Sequence, residues 1–361
     1  MPPTILTLNS GSSSIKFALY AAEVSPQLIL SGKIDRIGQA NAQFTMKLAK
    51  DQSVTQQAIH AAGHGTATSF LIKVIEKHTQ LSDIAAFGHR VVHGGSRYSE
   101  AQPVTEEMIT ELRKICPLAP NHLPAEIDLI FNFFTQFPHL LHIACFDTAF
   151  HHNLPRVAQQ LPLPRRYDAR GMRRYGFHGL SYTYLLEELE RLDGQQAAQG
   201  KVILAHLGAG ASLAAVFEGK SIDTTMSFTP TAGLVMATRT GDLDPGAMLY
   251  LLRNEKLSID QVDDLINQRS GLLGVSGLSS DMRDLLAKEA DHPREAEAVN
   301  LFCYQAKKAI GSFTAALGGL DTLVFAGGIG GMSPKCVAAS VRGWGSLASN
   351  SMRLAMLTTD R

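Results

Sequence analysis

The chain has 361 residues, of which 45% are hydrophobic and 18% charged, with 31 glycines and 15 prolines. These proportions exclude a disordered or collagen-like chain and leave room for two domains at the usual ~150 residues each. Lys plus Arg equals Asp plus Glu at 33 each, so no whole-molecule field draws the chain to nucleic acid or anionic lipid, and any anion must be held by a local site.

The four cysteines, Cys116, Cys145, Cys303 and Cys336, are too widely spaced for a CxxC metal or redox pair and too few for a secreted disulfide scaffold. The opening residues lack the basic, apolar, small-residue order of a signal peptide, and no apolar run reaches the length of a membrane span. A soluble, cytoplasmic protein is expected, with neither nucleic acid nor membrane among its partners.

Residues 4–8 form an apolar, partly β-branched run closed by Asn9, Ser10 and Gly11, and apolar alternation resumes at Ile15, Phe17 and Leu19. This predicts strand, tight turn, strand, with a third strand over 28–32. Short apolar runs at 84–87, 141–146, 201–207 and 322–325 predict further strands. Helical periodicity is expected over 104–114, 180–192 and 296–317. The fold class is therefore α/β, with functional loops at strand ends. Residues 201–217, turned at Gly208, Ala209 and Gly210, repeat the strand-turn-strand logic of the opening segment. Two related domains around a cleft follow as the expectation, 1–150 and 151–361, with the second altered after about residue 331 and no clear helix or strand pattern beyond Met332.

Several segments carry chemistry. In LNSGSSSIKF, a glycine-assisted turn can direct backbone N–H groups and hydroxyls toward an anion, with Lys16 adding charge; taken alone, the segment reads more simply as a polar hairpin turn with a surface lysine. No GxxxxGK[ST] loop occurs. In FGHRVVHGG, Arg90 follows an apolar run, where its planar guanidinium suits a carboxylate or phosphate, or a structural ion pair. His89 and His93 lack the glutamate of HExxH and are not expected to bind zinc. Asp147 closes the 141–146 run, either organising a site or capping the next helix. His178 precedes a helical segment, and Arg239 lies in TRTGDLDPG. Two arginines, a histidine and an acid suit phosphoryl transfer, which asks the protein mainly for positioning and charge compensation.

Taken in order, LTLNSGSSSIKF, GHRVVHGG, CPLAP, FDTAFH, RRYGFHGLS, HLGAGAS, TRTGDLDPG, GLLGVSGLSSDMR and FAGGIG resemble the acetate and propionate kinase family of the sugar-kinase/Hsc70/actin superfamily, whose two domains are ribonuclease-H-like. The resemblance implies a homodimeric enzyme that phosphorylates acetate, or propionate, reversibly with ATP and magnesium, giving an acyl phosphate and ADP. It implies that Ser12, Ser14 and Lys16 serve phosphate and Asn9 the metal. It makes Arg90, Asp147, His178 and Arg239 the catalytic set, and Val92, Asn121 and His122 the acid-binding set. His206, Gly208 and Gly210, with Asp281, Arg283, Gly328 and Gly330, resemble the nucleotide side.

Three departures stand out. The family's LAPLHNP is LAPNHLP here, which puts Asn121 where an apolar residue is usual. HLGNGAS becomes HLGAGAS, removing the amide at Ala209. GGIGEN becomes Gly331 and Met332, after which the codons permitted for the tail, read one register over, resemble the family's continuation. An altered reading frame after about Pro334, and with it a nucleotide-binding but catalytically impaired homologue, is the alternative expectation.

Overall fold

A computed structural model describes residues 2–342 and 353–356. It divides into two compact units, Met1–Ala149 and Phe150–Arg361.

The first unit is built on an eight-stranded sheet. Its strands are β1 (Thr4–Gly11), β2 (Ser14–Ala21), β3 (Gln27–Asp35), β4 (Gln43–Leu48), β5 (Val54–Ala58), β6 (Ile84–Val91), β7 (Gln102–Pro103) and β8 (Leu141–Phe146), in the order β5-β4-β3-β2-β1-β6-β8-β7. β1, β2 and β3 pair antiparallel, whereas β6 and β8 run parallel to β1. Leu6, Leu8, Phe17, Leu19, Leu30 and Phe44 enter one core. Residues from the helices His64–Ile75 and Leu123–Gln136 cover them, as the period-2 burial of an antiparallel sheet demands.

The second unit carries β9 (Val202–Leu207), β10 (Ala211–Phe217), β11 (Lys220–Thr224), β12 (Thr322–Ala326) and β13 (Arg353–Met356), in the order β11-β10-β9-β12-β13. Here too the first three strands are antiparallel and the last two parallel to the first. Strands β3-β2-β1-β6-β8 of the first sheet and the five of the second thus share one order and one set of directions, so the resemblance between the two hairpin segments extends to five strands of each sheet. Every residue of β12 is buried, as befits a strand covered on both faces. Helix Gly179–Asp193 packs Tyr182, Leu185 and Leu189 into this core, and helix Pro293–Leu317 lies against β9 and β10.

The expected strands at 84–87, 201–207 and 322–325 are present within a few residues of their predicted limits, and 141–146 coincides with β8. Beyond Met332 the structure corrects the expectation. A helix runs from Pro334 to Val341, capped by Ser333 and burying Cys336, Val337 and Ser340. β13 then pairs with β12. The small residues of that helix face give too weak an apolar signal to be read from sequence. Trp344, and much of the segment on which the altered-frame expectation rests, lies outside the described residues.

Candidate functional site

In the first unit the hairpin of β1 and β2 turns within two residues, with Gly11 opposite Ser14 and Asn9 opposite Lys16. Asn9 and Lys16 therefore share a face of the sheet. Ser12, Ser13 and Lys16 are exposed, and Ser14 is half-buried. A Cβ at Gly11 would stand 3.1 Å from Ser14 Oγ, so the glycine lets the turn close tightly on that hydroxyl.

β6 delivers Arg90 beside this hairpin. Its Nη2 donates to Asp147 Oδ2 at 2.6 Å, Nε donates to both Asp147 oxygens at 3.2 Å, and Nη1 donates to Asn9 Oδ1 at 2.9 Å. Asp147 is thus the fork partner of the arginine. Burial alone would weaken the Arg90 charge, but Asp147 and then Glu126 outweigh it, and the guanidinium is held more firmly protonated than usual.

Glu126, which sequence reasoning missed, completes the cluster. It comes from the first turn of helix Leu123–Gln136, where an acid reads as an ordinary helix-dipole residue. Its Oε2 accepts the Val92 amide at 2.8 Å, and its Oε1 lies 3.7 Å from Arg90 Nη1. Burial, only partly offset by Arg90, pushes this carboxyl up to about 7. Val92 is buried at the end of β6, and His122 and Asn121 form the turn that leads into the same helix.

These side chains do not fit a resident metal. Asn9 Oδ1 and both Asp147 oxygens are turned to a guanidinium, whose charge repels a cation, and Glu126 is tied to a backbone amide. Among the described residues, no group of three His, Cys, Asp or Glu side chains is placed to hold a metal ion.

The second unit assembles a different cluster at its own hairpin. His178 precedes helix Gly179–Asp193 in the left-handed region at φ 62°, a backbone conformation uncommon for a residue with a side chain. Its Nδ1 lies 2.8 Å from Ser212 Oγ, which also hydrogen-bonds the buried Tyr182 hydroxyl. Burial pushes the Tyr182 phenol up, so it stays neutral and able to donate. The His178 and His206 rings stand 4.4 Å apart, and His206 Nδ1 is 2.9 Å from Ser181 Oγ. A Cβ at Gly210 would sit 3.2 Å from His178 Nε2 and 3.8 Å from Arg239 Nη1. Glycine at this turn therefore lets the histidine and the second arginine close on one short stretch of backbone. Arg239 Nη1 also donates to Pro230 O at 3.1 Å.

Gly208 adjoins the other glycine turn, since a Cβ there would lie 3.8 Å from Gly328 N. The exposed Ala209 lends its carbonyl to the Ala237 amide. Gly330 packs close to Leu207 of β9. Asp281 and Arg283 pair with each other at the start of helix Met282–Lys288, where Asp281 Oδ1 also accepts the Arg283 amide at 2.9 Å. Ser212 and Tyr182 were not singled out from sequence, because a serine in a buried strand and a tyrosine on a helix face carry no motif.

The chain that carries these two clusters resembles known proteins over most of its length. The model of the acetokinase family matches residues 4–353. An acetate kinase of Rhodopseudomonas palustris is 46% identical over 91% of this chain and 83% of its own length. A propionate kinase of Citrobacter rodentium is 42% identical over 94% of this chain and 85% of its own. A solved propionate kinase structure from Francisella tularensis superposes with a TM-score of 0.91 at 31% identity, covering 98% of this chain and 96% of that one. With nearly its whole length matched in sequence and in structure, the chain belongs to the acetokinase family.

Proposed function

We propose that the protein transfers the terminal phosphoryl group of ATP reversibly to acetate, with propionate as the alternative acid, giving an acyl phosphate and ADP. The observation that carries this reading is the pair of preorganised clusters, Arg90 with Asp147 and Asn9 in one unit and His178 with Ser212 and Arg239 in the other, in a chain of the acetokinase family.

Arg90, locked in plane by Asp147, presents a fixed cation to the substrate carboxylate. Val92, Asn121 and His122 form the acid-binding side of this first, acyl-kinase unit. A carboxylate oxygen attacks the γ-phosphorus; the new P–O bond forms as the bond to the β,γ-bridging oxygen breaks, and the electron pair leaves with ADP. His178 and Arg239 serve the phosphoryl group in transfer. With Tyr182 donating to Ser212 and Ser212 donating to Nδ1, the imidazole carries its proton on Nε2, the atom beside Gly210, and offers it as a hydrogen bond to a phosphoryl oxygen. Ser12, Ser14 and Lys16 are assigned to phosphate. The second unit, with His206, Gly208, Gly210, Gly328, Gly330, Asp281 and Arg283, is assigned to the nucleotide. Magnesium enters as the counterion of the nucleotide phosphates. We assign the protein to the cytoplasm as a homodimer.

The test is formation of a hydroxylamine-trappable acyl phosphate from ATP and C2 to C4 acids. Product from acetate or propionate upholds the reading. Nucleotide binding in calorimetry without any acyl phosphate overturns it in favour of a catalytically impaired homologue. Ranking the acids by kcat/KM then fixes the substrate, because one methylene is worth only ~1–3 kcal/mol in an apolar pocket.

A further inference from the structure

Glu126 lies where the two acid-facing elements of the first unit meet. One oxygen holds the Val92 amide at 2.8 Å, and the other stands 3.7 Å from Arg90 Nη1 with no hydrogen bond of its own. The side chain is fully removed from solvent, and that of Asp147 nearly so. Asp147 already occupies the Nε and Nη2 edge of the guanidinium, leaving Nη1 between Asn9 and Glu126.

Charge counting makes this arrangement conditional. One guanidinium faces two carboxylates, so with both ionised the cluster is already net negative. An incoming carboxylate adds a further negative charge where solvent screens poorly. The cluster keeps its balance only if one carboxylate becomes neutral, and the two differ in how they are held. Asp147 receives three hydrogen bonds from Arg90, whereas the Oε1 of Glu126 receives none and is the oxygen able to carry a proton.

We propose that Glu126 is a positioning residue that takes up one proton when a short carboxylate binds at Arg90, so that its protonation state sets the affinity for the acid. The inference rests on the reading of Arg90 as the carboxylate contact. The charged groups facing Glu126 are Arg90 from β6 and Asp147 after β8, which act in opposite directions, the arginine favouring the ionised form and the aspartate opposing it. Burial dominates both and already holds the free carboxyl near 7; an added anion raises it further. Below about pH 7 the acid meets a neutral Glu126. As the pH rises above that, binding must recruit a proton, and affinity falls by up to about tenfold per pH unit.

The experiment is calorimetric titration of the full chain with acetate at about pH 8, in two buffers of different ionisation enthalpy, beside KM for acetate and for ATP from about pH 6.5 to 9. We expect an uptake close to one proton per acetate and a KM for acetate that climbs with pH while that for ATP does not. Glu126→Gln should abolish the uptake and flatten the acetate profile. A role confined to holding Val92 would instead weaken acetate binding equally at every pH. Wild-type protein that makes acyl phosphate but binds acetate without proton uptake overturns this inference and leaves the kinase reading intact; protein that neither binds acetate nor makes acyl phosphate overturns both. The wild-type proton count decides the matter even if Glu126→Gln fails to fold.

Discussion

Gly210 and His178 stand so close that a single added methyl group would press on the ring, its carbon 3.2 Å from Nε2 and 3.4 Å from Cε1. Gly210→Ala demands no left-handed backbone, so the chain should fold normally while the imidazole shifts by a few tenths of an ångström. A misplacement of about 1 Å costs up to ~100-fold in turnover, so for a few tenths of an ångström we expect kcat to fall by up to about tenfold with an unchanged thermal midpoint. Gly65→Ala, whose Cβ would meet no atom within 4 Å, is the control that should keep full activity.

Arg239→Ala should lower turnover at least ~100-fold if the guanidinium compensates developing phosphoryl charge, the usual scale for losing one transition-state donor. The hydroxamate assay reads the loss, and circular dichroism checks the fold. Wild-type activity in the variant would remove Arg239 from the mechanism.

Asp147→Asn breaks a mostly buried ion pair, with 26% of the Arg90 side chain and 3% of that of Asp147 exposed. Glu126, 3.7 Å from Arg90 Nη1, remains as a countercharge, so the loss is that of the charge-assisted fork, about 1.5–3 kcal/mol. Urea denaturation should show that loss in the unfolding of the first unit, together with reduced activity as Arg90 loses its fixed plane. Arg90→Lys should not restore activity, because an ammonium cannot reproduce the fork.

His151 makes stability sensitive to acid. Its Nδ1 lies 2.7 Å from Ser221 Oγ and its Nε2 3.1 Å from Phe177 O. Burial lowers its pKa to about 4, against about 6.5 for an exposed imidazole. The folded form therefore binds fewer protons than the unfolded one, so stability is intact above about pH 6.5 and falls as the pH drops toward 4. The loss approaches about 3 kcal/mol at the lower limit. Urea melts at pH 7.5 and 5 should differ accordingly, and His151→Gln should shrink the difference. An identical slope in the variant would assign the acid sensitivity elsewhere.

Much of this architecture is legible in the sequence because strands with one or two buried faces announce themselves. The runs that became β8 and β9 are apolar but for one histidine each, that of β12 is apolar after Thr322, and the two glycine turns follow their strands directly. Strand β5, by contrast, is exposed throughout and polar at its centre. It is held by its ladder with β4, and a backbone ladder leaves no side-chain signature. At the site, Arg90 and Asp147 stood out as charged residues closing apolar strands. Glu126 did not, because its meaning depends on Arg90 being brought to it from a distant part of the chain. The same holds for Ser212 and Tyr182, which matter only as the hydrogen-bonded backing of His178.

The four residues of β13 guard an otherwise adhesive surface. β12 is apolar from Leu323 to Phe325 and buried along its whole length, and β13 pairs with it on the side away from β9. A chain ending at Arg342 would present the N–H and C=O groups of β12 as an unsatisfied template, the geometry through which strands of separate molecules join. Such a truncated protein should sediment as large oligomers while the full chain does not, and a lysine placed in β12 at Val324 should trade that self-association for simple instability.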